Sequence, residues 1–285
     1  NVIDFKPSHP QTIHWNTIIF VAIFHVVAVA ALFTFSWQNA LAAFVTWWVA
    51  GSWGIGIGYH RLMTHKGMKT PRWLMRVLAT FGTLALQSGP IAWVTTHRIH
   101  HAYTDMDNDP HSPRNGTYWS HIGWIFKGTA QVQPQTAIQK YSPDLIRDPY
   151  LLFLDKYYYV TAIIAGIALM AIGGWTMVVW AIFLRTVMGW HFTWLVNSAT
   201  HLWGTRRFDT RDDSRNNGLI AAVTFGEGWH NNHHAYPRSA KHGLTWREFD
   251  VNWVQIRVLE KLGLMSDVYA IDLESEEAKV YKKAA

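Results

Sequence analysis

The 285-residue chain has no cysteine, so it can form no disulfide and no cysteine-ligated iron–sulfur cluster, and cysteine usage gives no clue to compartment. Charge is also scarce. Charged residues are 15% of the chain, and from Pro7 to Tyr59 there is no Lys, Arg, Asp or Glu, which excludes a soluble surface there. Walker, nucleophile-elbow and nucleic-acid-binding motifs are all missing, as is a fused electron-transfer module, so electrons for any redox step are expected from another protein. Gly54-Ile-Gly56-Ile-Gly58 has glycines but no preceding strand, and reads as a small-residue packing surface rather than a dinucleotide loop.

What replaces charge is long apolar runs. Thr17 to Phe35 is 19 residues, enough at 1.5 Å per residue to cross a hydrocarbon core of about 30 Å, and a second run spans Ala40 to Tyr59. The short turn at Ser36 to Asn39 makes these a hairpin. Tyr157 to Leu202 reads as a second hairpin, broken at Gly173 and Gly174, with Arg185 its only charge. The expected fold class is an all-α integral membrane protein. Four transmembrane helices, at about 17–35, 40–59, 157–173 and 176–202, form two hairpins under a helical cytoplasmic cap, 60–156 and 203–285, in one domain covering 1–285.

The two hairpin turns contain no Lys or Arg. One cation, Lys6, precedes the first span, eleven lie in Arg61 to Lys156, and twelve lie in Arg206 to Lys283. The positive-inside rule puts both termini and both long segments in the cytoplasm of a multi-pass protein. The net charge of +6 would then face anionic lipid headgroups or an acidic partner. Trp15, Trp37, Trp175 and Trp203 fall near span ends, where amphipathic rings anchor. Val77 to Thr96 is also charge-free and twenty residues long. It reads as a helix at the interface or within the cap, because a fifth crossing would part the histidine clusters on either side of it.

Of sixteen histidines, eight fall in three groups: His60 and His65; His97, His100 and His101; His230, His233 and His234. His201 stands alone. On a helix, His100 and His101 lie about 60° and 40° to either side of His97, so all three point one way, and His230, His233 and His234 repeat that geometry. His60 and His65 are about 140° apart on an α-helix and converge only where a helix ends or unwinds. Nine imidazoles exceed what one ion takes, so two ions, each keeping room for water or dioxygen, are expected. His9, His14, His111, His121 and His242 are read as solvated or interfacial. His25 and His191 lie inside spans; a haem would need them facing one another, and a bundle-interior hydrogen bond is the preferred reading. A metal transporter would place its ligands near the midplane instead.

His60-Arg-Leu-Met-Thr-His65, His97-Arg-Ile-His-His101, Asn197-Ser-Ala-Thr-His201 and Gly226-Glu-Gly-Trp-His-Asn-Asn-His-His234 resemble the histidine boxes of integral-membrane Δ9 fatty acyl desaturases. The likeness runs from about Trp48 to Trp246. Asp105-Met-Asp-Asn-Asp-Pro-His-Ser-Pro113 looks most like the cyanobacterial acyl-lipid branch, to which the animal stearoyl-CoA enzymes are related. The resemblance implies two Fe2+ ions on His60, His65, His97, His100, His101, His201, His230, His233 and His234, with Asn197 acting through water. Imidazole alone does not select iron. It further implies dioxygen as co-substrate, an acyl-lipid or other acyl-carrier substrate, and an external donor, ferredoxin or cytochrome b5.

A di-iron hydroxylase or oxygenase on the same scaffold is the alternative. Because successive methylenes are alike, selectivity requires a narrow apolar tunnel. Phe44, Trp47 and Trp48 are candidates to close it, against the commoner role of lipid-facing or packing aromatics. Asp105, Asp107, Asp109 and Glu227 are candidates to orient ligand rings, although Asp109 before Pro110 equally starts a turn. Arg98, Arg114, Arg206 and Arg207 could meet a headgroup, an acidic donor or water.

Overall fold

The computed structural model describes residues 12–128 and 133–275; the expectations for Lys6, His9 and Lys283 lie outside the described residues. Helices in chain order are α1 (Trp15–Val29), α2 (Trp37–Trp47), α3 (Arg72–Thr83), α4 (Pro90–Tyr103), α5 (Trp124–Lys127), α6 (Gln135–Tyr141), α7 (Pro149–Lys156), α8 (Tyr158–Val178), α9 (Arg185–Leu202), α10 (Gly218–Val223), α11 (His230–Ala235) and α12 (Val251–Lys261). Among the described residues there is no β-strand, only isolated bridges such as Thr205–Asn216.

Three helical runs are long and apolar enough to cross a membrane: Trp15–Phe33, Trp37–Thr64 and Tyr158–Leu202. The third is not straight. Gly174 adopts φ 72° and ψ −171°, open to glycine at little cost, and a Cβ placed on Gly166 would touch the Ile182 side chain. Residues that far apart in sequence meet only if the chain doubles back near the end of α8. Ser36 starts α2 by accepting the Asn39 N–H, which fixes the other turn. Trp15, Trp37, Trp175 and Trp203 are all more than half exposed.

α2 runs without a break into a π-helical stretch, Trp48–Thr64, whose i to i+5 bonds make wider turns than those of an α-helix. This stretch packs on α3: a Cβ on Gly54 would strike the Gly82 backbone, and one on Gly58 would crowd Leu78. Those glycines are the packing surface their spacing implies. Val77 to Thr96 is not one helix. It breaks between α3 and α4, with Leu86 and Ser88 at positive φ, and Asp155 caps α4 by accepting from the Ile91 and Ala92 N–H groups. The core beneath the histidines is built from Ile57, Leu62, Leu78, Ile91, Val94, Leu151 and Ile256.

Candidate metal centre

The histidines separate into two sets. Nitrogens of His60, His65, His97, His101 and His233 lie within 4.8 Å of one another, and so do those of His100, His201, His230 and His234. Helix geometry explains the division. α4 sends its i, i+4 pair, His97 and His101, to the first set and His100 to the second; α11 sends its i, i+4 pair, His230 and His234, to the second and His233 to the first. His201 from the end of α9 completes the second set. His60 and His65 complete the first from the end of the π-helical stretch, where the His65 N–H donates to the His60 carbonyl at 3.1 Å. The i to i+5 bond brings these two residues onto adjacent turns, and their rings meet edge to face with centroids 4.8 Å apart.

The nitrogens are spaced as ligands are. Two nitrogens on one ion, each bonded at about 2.1 Å and at right angles, sit about 3.0 Å apart. The Nε2–Nε2 distances are 3.1 Å for His60–His233, 3.0 Å for His101–His233, 3.2 Å for His97–His101 and 3.0 Å for His201–His230. Buried Nε2 of His65 and His234 and Nδ1 of His230 and His233 have no hydrogen-bond partner. Unpaired buried nitrogens are costly, and a bound cation would account for those turned inward. The residues present therefore fit a pair of metal ions.

Four carboxylates hold the outer nitrogens. Nδ1 of His60, His100, His201 and His234 lies 2.6, 2.9, 3.0 and 3.1 Å from Glu227, Asp109, Asp105 and Asp212. A donating Nδ1–H leaves the Nε2 lone pair turned inward. Burial and neighbouring rings drive His65, His97, His100, His101, His230 and His233 well below the usual histidine range, which keeps them neutral and ready to ligate. Burial raises the carboxyls too, but the His201 contact outweighs it and brings Asp105 to about 2, and the Arg61 charge holds Glu227 well below normal. At Asp109 burial wins and the carboxyl is raised.

Asp105, Asp109 and Glu227 each lie within hydrogen-bond distance of one clustered ring. Asp109 also accepts the Asp105 and His111 N–H groups, so it organises a turn as well. Asp107 is exposed and joins nothing in the site. Asp212 is the residue that sequence reasoning misses: no spacing signal ties a loop aspartate to a box beyond it.

Two histidines read as solvated are instead buried. His111 stacks near His100 with centroids 4.3 Å apart; His242 lies 4.5 Å from the His233 ring with Nδ1 3.3 Å from Glu227. Chain packing, invisible in their spacing, carries them in. Arg61 is buried and clamps the site from behind, donating to Glu227 at 2.8 and 3.0 Å, to Asp250 at 3.0 Å and to the Ala240 carbonyl at 2.7 Å. Arg98 is committed to Asp144, Arg114 to Asp213 and Arg207 to Glu248, and Arg206 donates to the Thr210 carbonyl.

His14 donates to the Gly128 carbonyl, and His121 bridges Ser198 and His191. His25 and His191 place Nε2 atoms 3.0 Å apart, a direct hydrogen bond with no room for a haem between them.

Two cavities open onto the rings. A larger one, about 240 Å³, runs from Thr17 and Phe20 past Trp190 and Trp194; a smaller one, about 50 Å³, reaches Trp47, Gly51 and Ile55. Trp93, His97, Thr193 and Asn197 line both. Trp47 lines the smaller cavity and packs against Phe192 and Phe225. Phe44 is 60% exposed and lines neither, and Trp48 turns its indole N–H to Gln255 at 2.9 Å.

Fold and site together define a helical protein with membrane-length helices and a paired imidazole centre. Residues 38–255 match the family model described as fatty acid desaturase. The chain is 46% identical to an sn-2 palmitoyl-lipid 9-desaturase of Nostoc sp. (strain 36) over 92% of both chains. It is 44% identical to an sn-1 stearoyl-lipid 9-desaturase of Anabaena variabilis over 93% of this chain and 97% of that one. It is 41% identical to an sn-1 stearoyl-lipid 9-desaturase of Synechocystis sp. (strain ATCC 27184 / PCC 6803 / Kazusa) over 93% and 82%. The chain belongs to the fatty acid desaturase family and is an oxidoreductase acting on fatty acyl chains.

Proposed function

We propose that the protein places a cis double bond at Δ9 of a saturated acyl chain carried on a glycerolipid, with two irons held by the nine clustered imidazoles. The observation that carries this reading is the division of those rings into two sets beside two cavities that share His97 and Asn197 in their walls. Bound iron, given dioxygen, two electrons and two protons, would supply the oxidant that takes two hydrogens from neighbouring methylenes, leaving the alkene and two waters.

The chain's own residues do the rest. Trp190, Trp194 and Phe20 line an apolar route from the α1 side, and Trp47, in the wall of the smaller cavity, would close it. Trp93 and Thr193 line both cavities, and the reacting carbons would lie between them. Such positioning selects one pair of methylenes among many that react alike. Asn197, one turn before His201, would hold water on the second set.

The remaining features accord with the same reading. In this reading the three membrane-length helical runs make four spans in two hairpins, because Tyr158–Leu202 doubles back near Gly174. The excess of Lys and Arg outside the apolar runs favours a cytoplasmic side for the rings, under a helical cap. Ferredoxin, or failing that cytochrome b5, supplies the electrons.

Expression in a host that makes no unsaturated fatty acids but supplies a reductant should yield a Δ9 monoene of 16 or 18 carbons in membrane glycerolipids. A His101→Ala variant should stay in the membrane fraction and make none. Undiminished product from that variant, or a hydroxylated product from the parent, would overturn the assignment.

A further inference from the structure

We propose that α12 is an interfacial helix whose Val254, Val258 and Leu262 stripe lies in the headgroup–acyl boundary of the leaflet nearest the histidines. The inference rests on the reading that the long apolar helices cross a bilayer. With Val254 at zero and about 100° per residue, Val258 falls at about 40° and Leu262 at about 80°. These side chains are 46%, 51% and 66% exposed. Asn252, Ile256 and Leu259 occupy about 140–200° and are buried, the last two in the main core. Arg257, Glu260 and Lys261 occupy about 240–340°, with the half-buried Trp253 beneath the Arg257 guanidinium at about 260°.

The helix therefore has three sectors, core, apolar and charged, where a water-exposed surface helix needs two. The orientation of the apolar sector is fixed by Gln255, at about 100° on its edge. Gln255 accepts from the Trp48 indole at 2.9 Å and donates to Ser52 at 2.7 Å. Trp48 and Ser52 belong to a membrane-length helix, well before the end that carries His60. The apolar edge of α12 thus continues the apolar surface of that helix, and the charged sector lies on the far side. Trp246 and Phe249, 87% and 69% exposed, precede the same helix. A bilayer is the partner that satisfies this pattern: hydrocarbon beside Trp48, headgroups beside Arg257 and Lys261.

The absence of cysteine makes the test direct. Single cysteines at Val258, at Glu260 and at Ile23 of α1, each carrying a nitroxide in the full chain reconstituted in phosphatidylcholine vesicles, are read for collision with oxygen, which concentrates in lipid, and with a water-soluble nickel chelate. Val258 should favour oxygen as Ile23 does, and Glu260 should favour nickel. Nickel-favouring collisions at Val258 with oxygen-favouring ones at Ile23 would overturn the inference and leave the spans standing. Protection of Val258 from both reagents would overturn it in favour of a protein contact, and nickel-favouring collisions at both sites would remove the spanning reading as well.

Discussion

Replacing Arg61 with methionine should damage the metal centre without touching a ring. Its guanidinium side chain is wholly buried, against a Glu227 side chain 11% exposed and an Asp250 side chain 1% exposed. Removing the cation leaves two carboxylates facing each other in the interior, and breaking a buried pair in this way costs about 3–5 kcal/mol. That is a large share of the roughly 5–15 kcal/mol that holds a typical fold together. At about 2 °C per kcal/mol for a chain of this size, melting should fall by roughly 6–10 °C. Glu227 would also lose the charge that keeps it ionised, and with it the strength of its 2.6 Å hold on His60. Metal content per purified chain, measured beside thermal unfolding in detergent, should fall chiefly by the ion of the five-ring set. Arg61→Lys keeps the charge but not the fork of donors, so it should fall between parent and Arg61→Met. An Arg61→Met protein that melts with the parent and takes up the same metal would refute the clamp.

Asp212→Asn should weaken metal binding at the four-ring set about 10–100-fold, read as one of two equivalents lost in a metal titration, because His234 loses its anionic anchor. Trp47→Ala should move the product profile toward longer acyl chains, since the ring would close the smaller cavity; an unchanged chain-length distribution would remove it from that role. The metal-free protein should lose stability as pH falls. Burial holds six rings below the 6.5 at which they protonate when unfolded, so stability is full above about that pH and declines beneath it. Each ring that stays neutral contributes up to about 1.4 kcal/mol per pH unit, and a melting temperature flat from pH 7.5 to about 5 would contradict this.

The rings were legible because i, i+3 and i+4 spacing is a local property, and two apolar helices carry their own length signal. His60 and His65 were legible only as a puzzle. Their spacing demanded an end or an unwinding, and the chain supplies both through π-helical turns. Burial of polar side chains is decided instead by what packs over them. His242 looks like any loop histidine until Asp250 accepts its backbone N–H, and Asp212 gains its role only when the chain after α9 folds over α11. Arg61 sits inside a box quoted for its histidines, yet nothing nearby in sequence names its partners.

The wide-turned stretch before His60 makes this protein sensitive to chain length in a way that composition does not reveal. Each i to i+5 turn spends about one residue more than an α-helix needs. Excision of a single residue between Trp48 and Tyr59, with the wide turns retained, would swing His60 by roughly a quarter turn while the packing before the excision survives. Such a mutant should insert normally and remain folded, yet fail as a catalyst; here the count of residues is itself part of the ligand geometry.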